Sequence, residues 1–267
     1  MSSFEYTTPI PEVRLHSAPE SGAQIATWVR SAFDEPGAVR ILNFEALCAL
    51  MEDSFDIDVL VKPFGEDEID GLTTTIPEWT LVQVNSSKRR TRMFFTLAHE
   101  FGHALLHKGE YSQLREHPLN NSSVLSSSSP EEVWCNAFAA ALLLPGEALE
   151  ARPYWPLDAC LKLYVSSGLS WEATLYRLKS LDLLPRSSFE EYKSQSALLL
   201  AQSPQVGDAI REQVNAVDST PTNGYRQPKK LTARVVSAYR SGKVSARPVA
   251  MLKDLTLEEV HKLRDGI

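Results

Sequence analysis

Apolar residues recur at helical spacing along most of this 267-residue chain and at strand spacing over one short stretch. In segment 21–33 the apolar face is Ile25, Trp28, Val29 and Phe33, and in 38–51 it is Ile41, Phe44, Leu47 and Leu50. Each predicts a helix with one buried face. Residues 56–64 (DIDVLVKPF), the threonine-rich 69–76 and 80–84 (TLVQV) predict three strands, with Pro77-Glu78 as the turn before the last. Two later segments, 94–107 (FFTLAHEFGHALLH) and 132–145 (EVWCNAFAAALLLP), are apolar on nearly every side, the mark of helices enclosed by a core. Beyond them, 156–164 and 170–181 form a helix pair around Gly168 with helix-turn-helix spacing, and 187–203 reads as helical. Segments 231–239, 246–252 and 257–263 add three small helices.

The fold class that follows is α+β, mainly helical, with a small antiparallel or mixed sheet packed on the 94–107 helix. A helix-turn-helix-like segment and C-terminal helices come after it. The chain divides into an extended arm (1–20, with Pro9, Pro11 and Pro19), a main domain (21–155), the helix-turn-helix-like segment (156–203), and a linker with basic helices (204–267). DSTPTNGYRQP (218–228) is linker-like, and 111–130, rich in serine, is either a flap or a connector. The second helix of the pair offers Arg177 and Lys179 but also Trp171, Glu172 and Leu175, so packing against the main domain is the expectation, rather than DNA reading. The strand 80–84 is expected at the outside of the sheet, where an extended peptide could add as a further strand. Asn85-Ser86-Ser87 is expected to cap the helix that follows.

That helix contains His99-Glu100-Phe101-Gly102-His103. Four residues make a little over one turn, so the two histidines share a face, about 6 Å apart along the axis. Both imidazoles can then reach one ion at roughly 2.0–2.1 Å per bond, with Glu100 beside them to take a proton from water on that ion. The alternative is a fortuitous pair of helix histidines, but polar groups buried without partners in so apolar a helix are costly.

Two histidines leave a metal site incomplete. His107 continues the face but lies about 12 Å along the axis from His99, too far for one ion to take all three. Glu132, at the head of the second apolar helix, is the candidate third ligand, with Asn136 four residues on as a hydrogen-bonding support. Ser129-Pro130-Glu131-Glu132 is equally a helix-capping sequence, which explains Glu132 without a metal. Glu131, His107, Glu110, Glu116 and His117 are the other candidates. Tyr111, His117 and Arg177 are candidates to stabilise an oxyanion.

Composition narrows the class. The net charge is −7, yet from Ser219 onward ten Lys/Arg face four Asp/Glu, leaving −13 for residues 1–218. Such a tail suits an acidic partner or nucleic acid, but a solvated helical face is the simpler reading, and DNA binding is a secondary expectation. Cys48, Cys135 and Cys160 have no CxxC spacing, which argues for a reducing compartment. There is no charged leader followed by an apolar run, and the longest nearly apolar stretch, 133–144, is broken by Asn136 and too short to span a bilayer. A soluble, cytoplasmic protein without a membrane partner is expected.

FTLAHEFGHALLH (95–107) and EVWCNAFAAALLLP (132–145) together resemble the ImmA/IrrE family of zinc metallopeptidases. Asn85-Ser86-Ser87 matches as well, and Leu169-Ser170-Trp171-Glu172-Ala173 with Tyr176-Arg177-Leu178 more loosely. The resemblance implies a zincin-like, gluzincin-type fold with Glu132 as third ligand. It also implies action on an Xre-type helix-turn-helix repressor or antitoxin, in stress response or mobile-element control. Cys135 stands where the family usually has alanine and Trp134 where it usually has a charged residue, and no sensor domain is evident. The expected function is a zinc endopeptidase, with His99, His103 and Glu132 holding Zn²⁺ and Glu100 as general base. A His/His/Glu donor set also accepts Mn²⁺ or Fe²⁺. The competing reading is a metal-stabilised module that sequesters a repressor or antitoxin without cutting it; an intact Glu100 favours the enzyme.

Overall fold

The computed structural model describes residues 13–31, 41–65, 69–76, 79–107, 129–149, 152, 154–217 and 223–265. Residues 1–12 of the expected arm, the Pro77-Glu78 turn, most of the serine-rich segment (111–128) and residues 218–222 lie outside this set.

Helix α1 (Ala18–Ser31) opens three residues before the expected start, because Pro19 is tolerated in a first turn that lacks internal N–H partners anyway. Helix α2 (Phe44–Ser54) begins later than its apolar pattern, where the Asn43 side chain accepts from the Ala46 N–H; Ile41 stays outside it, on the surface. Three strands follow: β1 (Asp58–Lys62), β2 (Gly71–Ile76) and β3 (Trp79–Asn85). Helices α3 (Arg90–His107) and α4 (Pro130–Leu143) are the two apolar segments. After them come α5 (Leu157–Ser167) and α6 (Trp171–Ser180), then α7 (Arg186–Lys193) and α8 (Ala197–Leu200). The last two replace the single helix expected over 187–203, since Ser196 accepts from the Leu199 N–H and starts a new helix. The chain continues with α9 (Asp208–Ala216), α10 (Lys229–Arg240), α11 (Ala246–Lys253) and α12 (Leu257–Asp265).

The sheet is mixed, in the order β1-β3-β2, with β1 parallel to β3 and β2 antiparallel to it. This corrects the expectation for Thr80–Val84, which forms the centre of the sheet and has neighbours on both sides. The reason is burial: Leu81, Val82 and Val84 are enclosed, as a strand covered on both faces requires. Among the described residues the free edge belongs to threonine-rich β2, where Leu72 and Ile76 are exposed. On the far side the Arg226 backbone exchanges two hydrogen bonds of 2.9 Å with Val61 and covers β1.

Helix α3 packs against one face of the sheet and against α4 on its other side, and α4 in turn packs on α1. One buried cluster runs through all of these from Ala18 to Leu200, drawing on residues either side of position 155. The opposite face of the sheet is covered by the C-terminal helices, with Leu60 and Leu81 packed against Leu252, Leu231 and Val235. Gly168 turns the chain between α5 and α6 in the left-handed region (φ 70°), open to glycine without cost. Leu161, Leu175 and Leu178 of this pair are buried, which commits it to packing. Among the described residues no helix is long and apolar enough to cross a membrane.

Candidate metal centre

Helix α3 is held by its apolar side chains: Leu97, Ala98, Phe101, Ala104 and Leu105 are all buried. It meets α4 closely at Gly102, where an added Cβ would lie 3.2 Å from the Phe138 ring and 3.3 Å from the Cys135 sulfur. Phe101 and Phe138 pack edge to face at 5.5 Å. Two further side chains of α4 serve this packing. Cys135 lies at the Gly102 crossing, and Trp134 is fully buried, stacked on Phe138 and donating to the Ser21 hydroxyl of α1 (3.2 Å).

The close crossing brings the head of α4 over the histidines of α3. Glu132 Oε2 is 3.2 Å from His99 Nε2, Glu132 Oε1 is 3.2 Å from His103 Nε2, and the two Nε2 atoms are 3.1 Å apart. Ser129 caps α4 by accepting from the Glu132 N–H at 3.2 Å, but the Glu132 carboxylate turns to the imidazoles. The two readings of this sequence are therefore both realised, one by the backbone and one by the side chain. Glu131 points elsewhere, with Oε1 3.3 Å from His103 Nδ1 and 3.0 Å from His107 Nε2. His107 thus stands beside Glu131 and away from Glu132.

The donor chemistry fits a divalent cation. Asn136 Oδ1 accepts from His99 Nδ1 at 3.0 Å, and the Glu131 carboxylate accepts from His103 Nδ1, so each ring carries its proton on Nδ1 and presents the Nε2 lone pair. Two lone pairs and a carboxylate converge at 3.1–3.2 Å from one another. That is close to the edge of a tetrahedron with bonds of 2.0–2.1 Å, which is about 3.3 Å. Burial alone would pull the His103 pKa down, but the hydrogen bond to Glu131 and the charges of Glu100, Glu132 and Glu131 hold it above its ordinary value. When His99 is protonated at both nitrogens, its hydrogen bond to Glu132 holds that carboxyl below the usual carboxylate range. Burial pushes Glu131 up, and the hydrogen bonds from His103 and His107 overcome it, leaving this carboxyl well below that range.

Glu100 faces the sheet edge. The Thr73 hydroxyl of β2 donates to Glu100 Oε2 at 2.7 Å. Strand and helix come this close because residue 71 is glycine: a Cβ there would sit 2.6 Å from Thr96 Cγ2 and 2.9 Å from Glu100 Cγ. Neither Thr73 nor the Glu131 pairing was evident from spacing; the one available signal was the Gly-Leu-Thr-Thr-Thr run, which carries no register by itself.

A cleft of about 1860 Å³ opens over His99, Glu100, Glu132 and Asn136, and is walled on the other side by Trp171 and Tyr176 of α6. Arg177 lines its far end, where Nε donates to the Leu144 carbonyl at 2.8 Å. Leu144 follows α4, roughly 18 Å along the axis from Glu132, so Arg177 is too distant to stabilise an oxyanion at the three-donor cluster. Tyr111 and His117, the other candidates for that role, lie outside the described residues, as do Glu110 and Glu116. Burial raises the Cys135 thiol far above its usual range, so it stays protonated and offers no thiolate beside the cluster.

A family model, peptidase M78, described as the IrrE N-terminal-like domain, matches residues 52–179. Its span takes in β1 to β3, α3, α4 and nearly all of α6, with all four candidate residues inside. A comparison with curated proteins finds no match. Residues 52–179 are therefore a peptidase domain of the ImmA/IrrE type, from a metal-dependent family of proteases.

Proposed function

We propose that the chain is a zinc-dependent endopeptidase that cleaves, and so inactivates, an Xre-type helix-turn-helix repressor or antitoxin. The observation that carries the enzymatic part is the convergence of His99 Nε2, His103 Nε2 and the Glu132 carboxylate at 3.1–3.2 Å, with Glu100 one residue from the first histidine. The repressor as substrate rests on the family resemblance. His99, His103 and Glu132 would hold the cation, zinc by preference for this donor set, with Mn²⁺ or Fe²⁺ as possible substitutes. A divalent ion bound there supplies Lewis acidity, polarising a peptide carbonyl and making water more acidic.

The residues of the chain do the rest. Glu100 takes the proton of the attacking water and returns it to the departing amine, and Thr73 fixes the carboxylate for both transfers. Asn136 and Glu131 hold the two imidazoles in the tautomer that presents Nε2. An extended peptide would lie in the cleft along β2, whose backbone edge is free among the described residues and whose Gly71 and Thr73 stand beside Glu100.

The test is to incubate the purified, zinc-loaded chain with the helix-turn-helix repressor encoded beside it, with and without chelator. Discrete fragments are expected only without chelator, and Glu100→Gln is expected to keep zinc and yield no fragments. Proteolysis by Glu100→Gln at the wild-type rate would remove Glu100 from its role. A stable, uncut complex that forms regardless of chelator would replace the enzyme with the sequestering module.

A further inference from the structure

We propose that Glu131 and His107 are positioning residues of the metal centre: Glu131, steadied by His107, holds the His103 ring so that its Nε2 lone pair is aimed at the cation. The inference rests on reading His99, His103 and Glu132 as ligands.

A ligating imidazole binds well only when its other nitrogen is anchored, which fixes both the tautomer and the ring angle. The two histidines are anchored differently. His99 leans on Asn136, a neutral and exposed amide, whereas His103 leans on Glu131, a buried carboxylate. A buried carboxylate is costly unless several donors meet it. Here one oxygen, Oε1, receives both His103 Nδ1 at 3.3 Å and His107 Nε2 at 3.0 Å. His107 lies one turn beyond His103 on α3, with its ring 6.2 Å away and inclined by 30°, so the helix itself delivers the second donor. Its distance from His99, about 12 Å along the axis, keeps it from the ion that His99 and Glu132 would share. A carboxylate at Nδ1 also makes His103 the more basic of the two nitrogen ligands, which an amide would not do.

The full-length chain should be titrated with Zn²⁺ in competition with a chromophoric chelator, and with Co²⁺ for its visible ligand-field absorption. Glu131→Gln and His107→Ala are each expected to weaken zinc binding by about 10–100-fold and to shift the Co²⁺ band. His107→Gln, which keeps an N–H donor for Glu131, should recover part of both. His107 is half-buried at the helix end, so its variants remain informative if Glu131→Gln fails to fold. Unchanged zinc affinity and Co²⁺ spectrum, with only the metal-free melting temperature lowered, would overturn the proposal and leave a tie between α3 and α4. A second equivalent of zinc in the wild type, lost in His107→Ala, would overturn it by making these residues ligands themselves. Unchanged affinity in Glu132→Gln is a separate failure, that of the ligand assignment beneath.

Discussion

At the scale of single residues, the site depends on groups that touch the donors rather than on the donors alone. Thr73 is the sharpest case, because its hydroxyl is 2.7 Å from Glu100 Oε2 and comes from a strand 27 positions earlier. A hydrogen bond to a charged group contributes roughly 1.5–3 kcal/mol, the lower end applying to a partly exposed pair. Thr73→Val, which keeps the shape and removes the donor, is expected to lower kcat/KM about tenfold with zinc affinity unchanged. Wild-type turnover by that variant would show that Glu100 needs no such support. The histidines and Glu100 were legible in the sequence because helical spacing is local: residues four apart share a face whatever surrounds them. Glu131 and Glu132 were not separable that way. Adjacent residues on a helix point about 100° apart, and only the direction of α3 relative to α4 determines which carboxylate meets the Nε2 atoms.

At the scale of elements, close approach governs the layout. An added Cβ on Gly22 of α1 would lie 2.6 Å from the Trp134 carbonyl and 3.0 Å from the Phe138 nitrogen. Gly→Ala in a helix ordinarily gains about 1 kcal/mol, but forcing two packed helices apart costs about 1–3 kcal/mol or more, and the second effect should win. Gly22→Ala is thus expected to lower the urea midpoint, whereas a rise would mean that α1 and α4 can slide. The sheet offers a test with pH. Burial raises the Asp58 pKa, against the Trp79 hydrogen bond at 2.9 Å that lowers it. A carboxyl whose pKa is raised on folding stabilises the fold below its ordinary value, and that contribution fades as pH rises through the raised value. Asp58→Asn can still accept from Trp79 but lacks the charge, so its melting temperature relative to wild type should climb between pH 3 and pH 7. A relative fall over that range would contradict the burial argument. The order of the strands was the main error of pattern reading, since TLVQV was expected at the outside of the sheet but lies at its centre, with Leu81, Val82 and Val84 all enclosed.

At the scale of the whole molecule, a segment that reads as linker joins the C-terminal helices to the peptidase domain. Arg226 bonds both oxygens of Glu52, at 2.7 and 2.9 Å, donates to the Val59 carbonyl at 2.9 Å, and pairs its backbone with Val61. Beside it, Leu231, Val235 and Leu252 cover the face of the sheet away from α3. Removing one partner of a buried ion pair costs about 3–5 kcal/mol, and partial exposure of Arg226 and Glu52 brings the expectation to about 2–3 kcal/mol. Arg226→Ala should therefore lower the melting temperature by several degrees, and Glu52→Gln in the same background should recover part of the loss. Additive losses from the two substitutions would mean that the pair does not couple the tail to the domain.

The amino-acid sequence by itself determined what depends on neighbours a few positions apart: the two apolar helices, three strands, the tail helices, and an imidazole pair one turn apart with a carboxylate beside it. Tertiary structure alone decided which strand is left at the edge, where each glutamate of α4 points, and what covers the back of the sheet. The physical reason is separation along the chain. His99 meets Asn136 across 37 positions and Arg226 meets Glu52 across 174, and such contacts are set by how faces pack, which no local periodicity encodes.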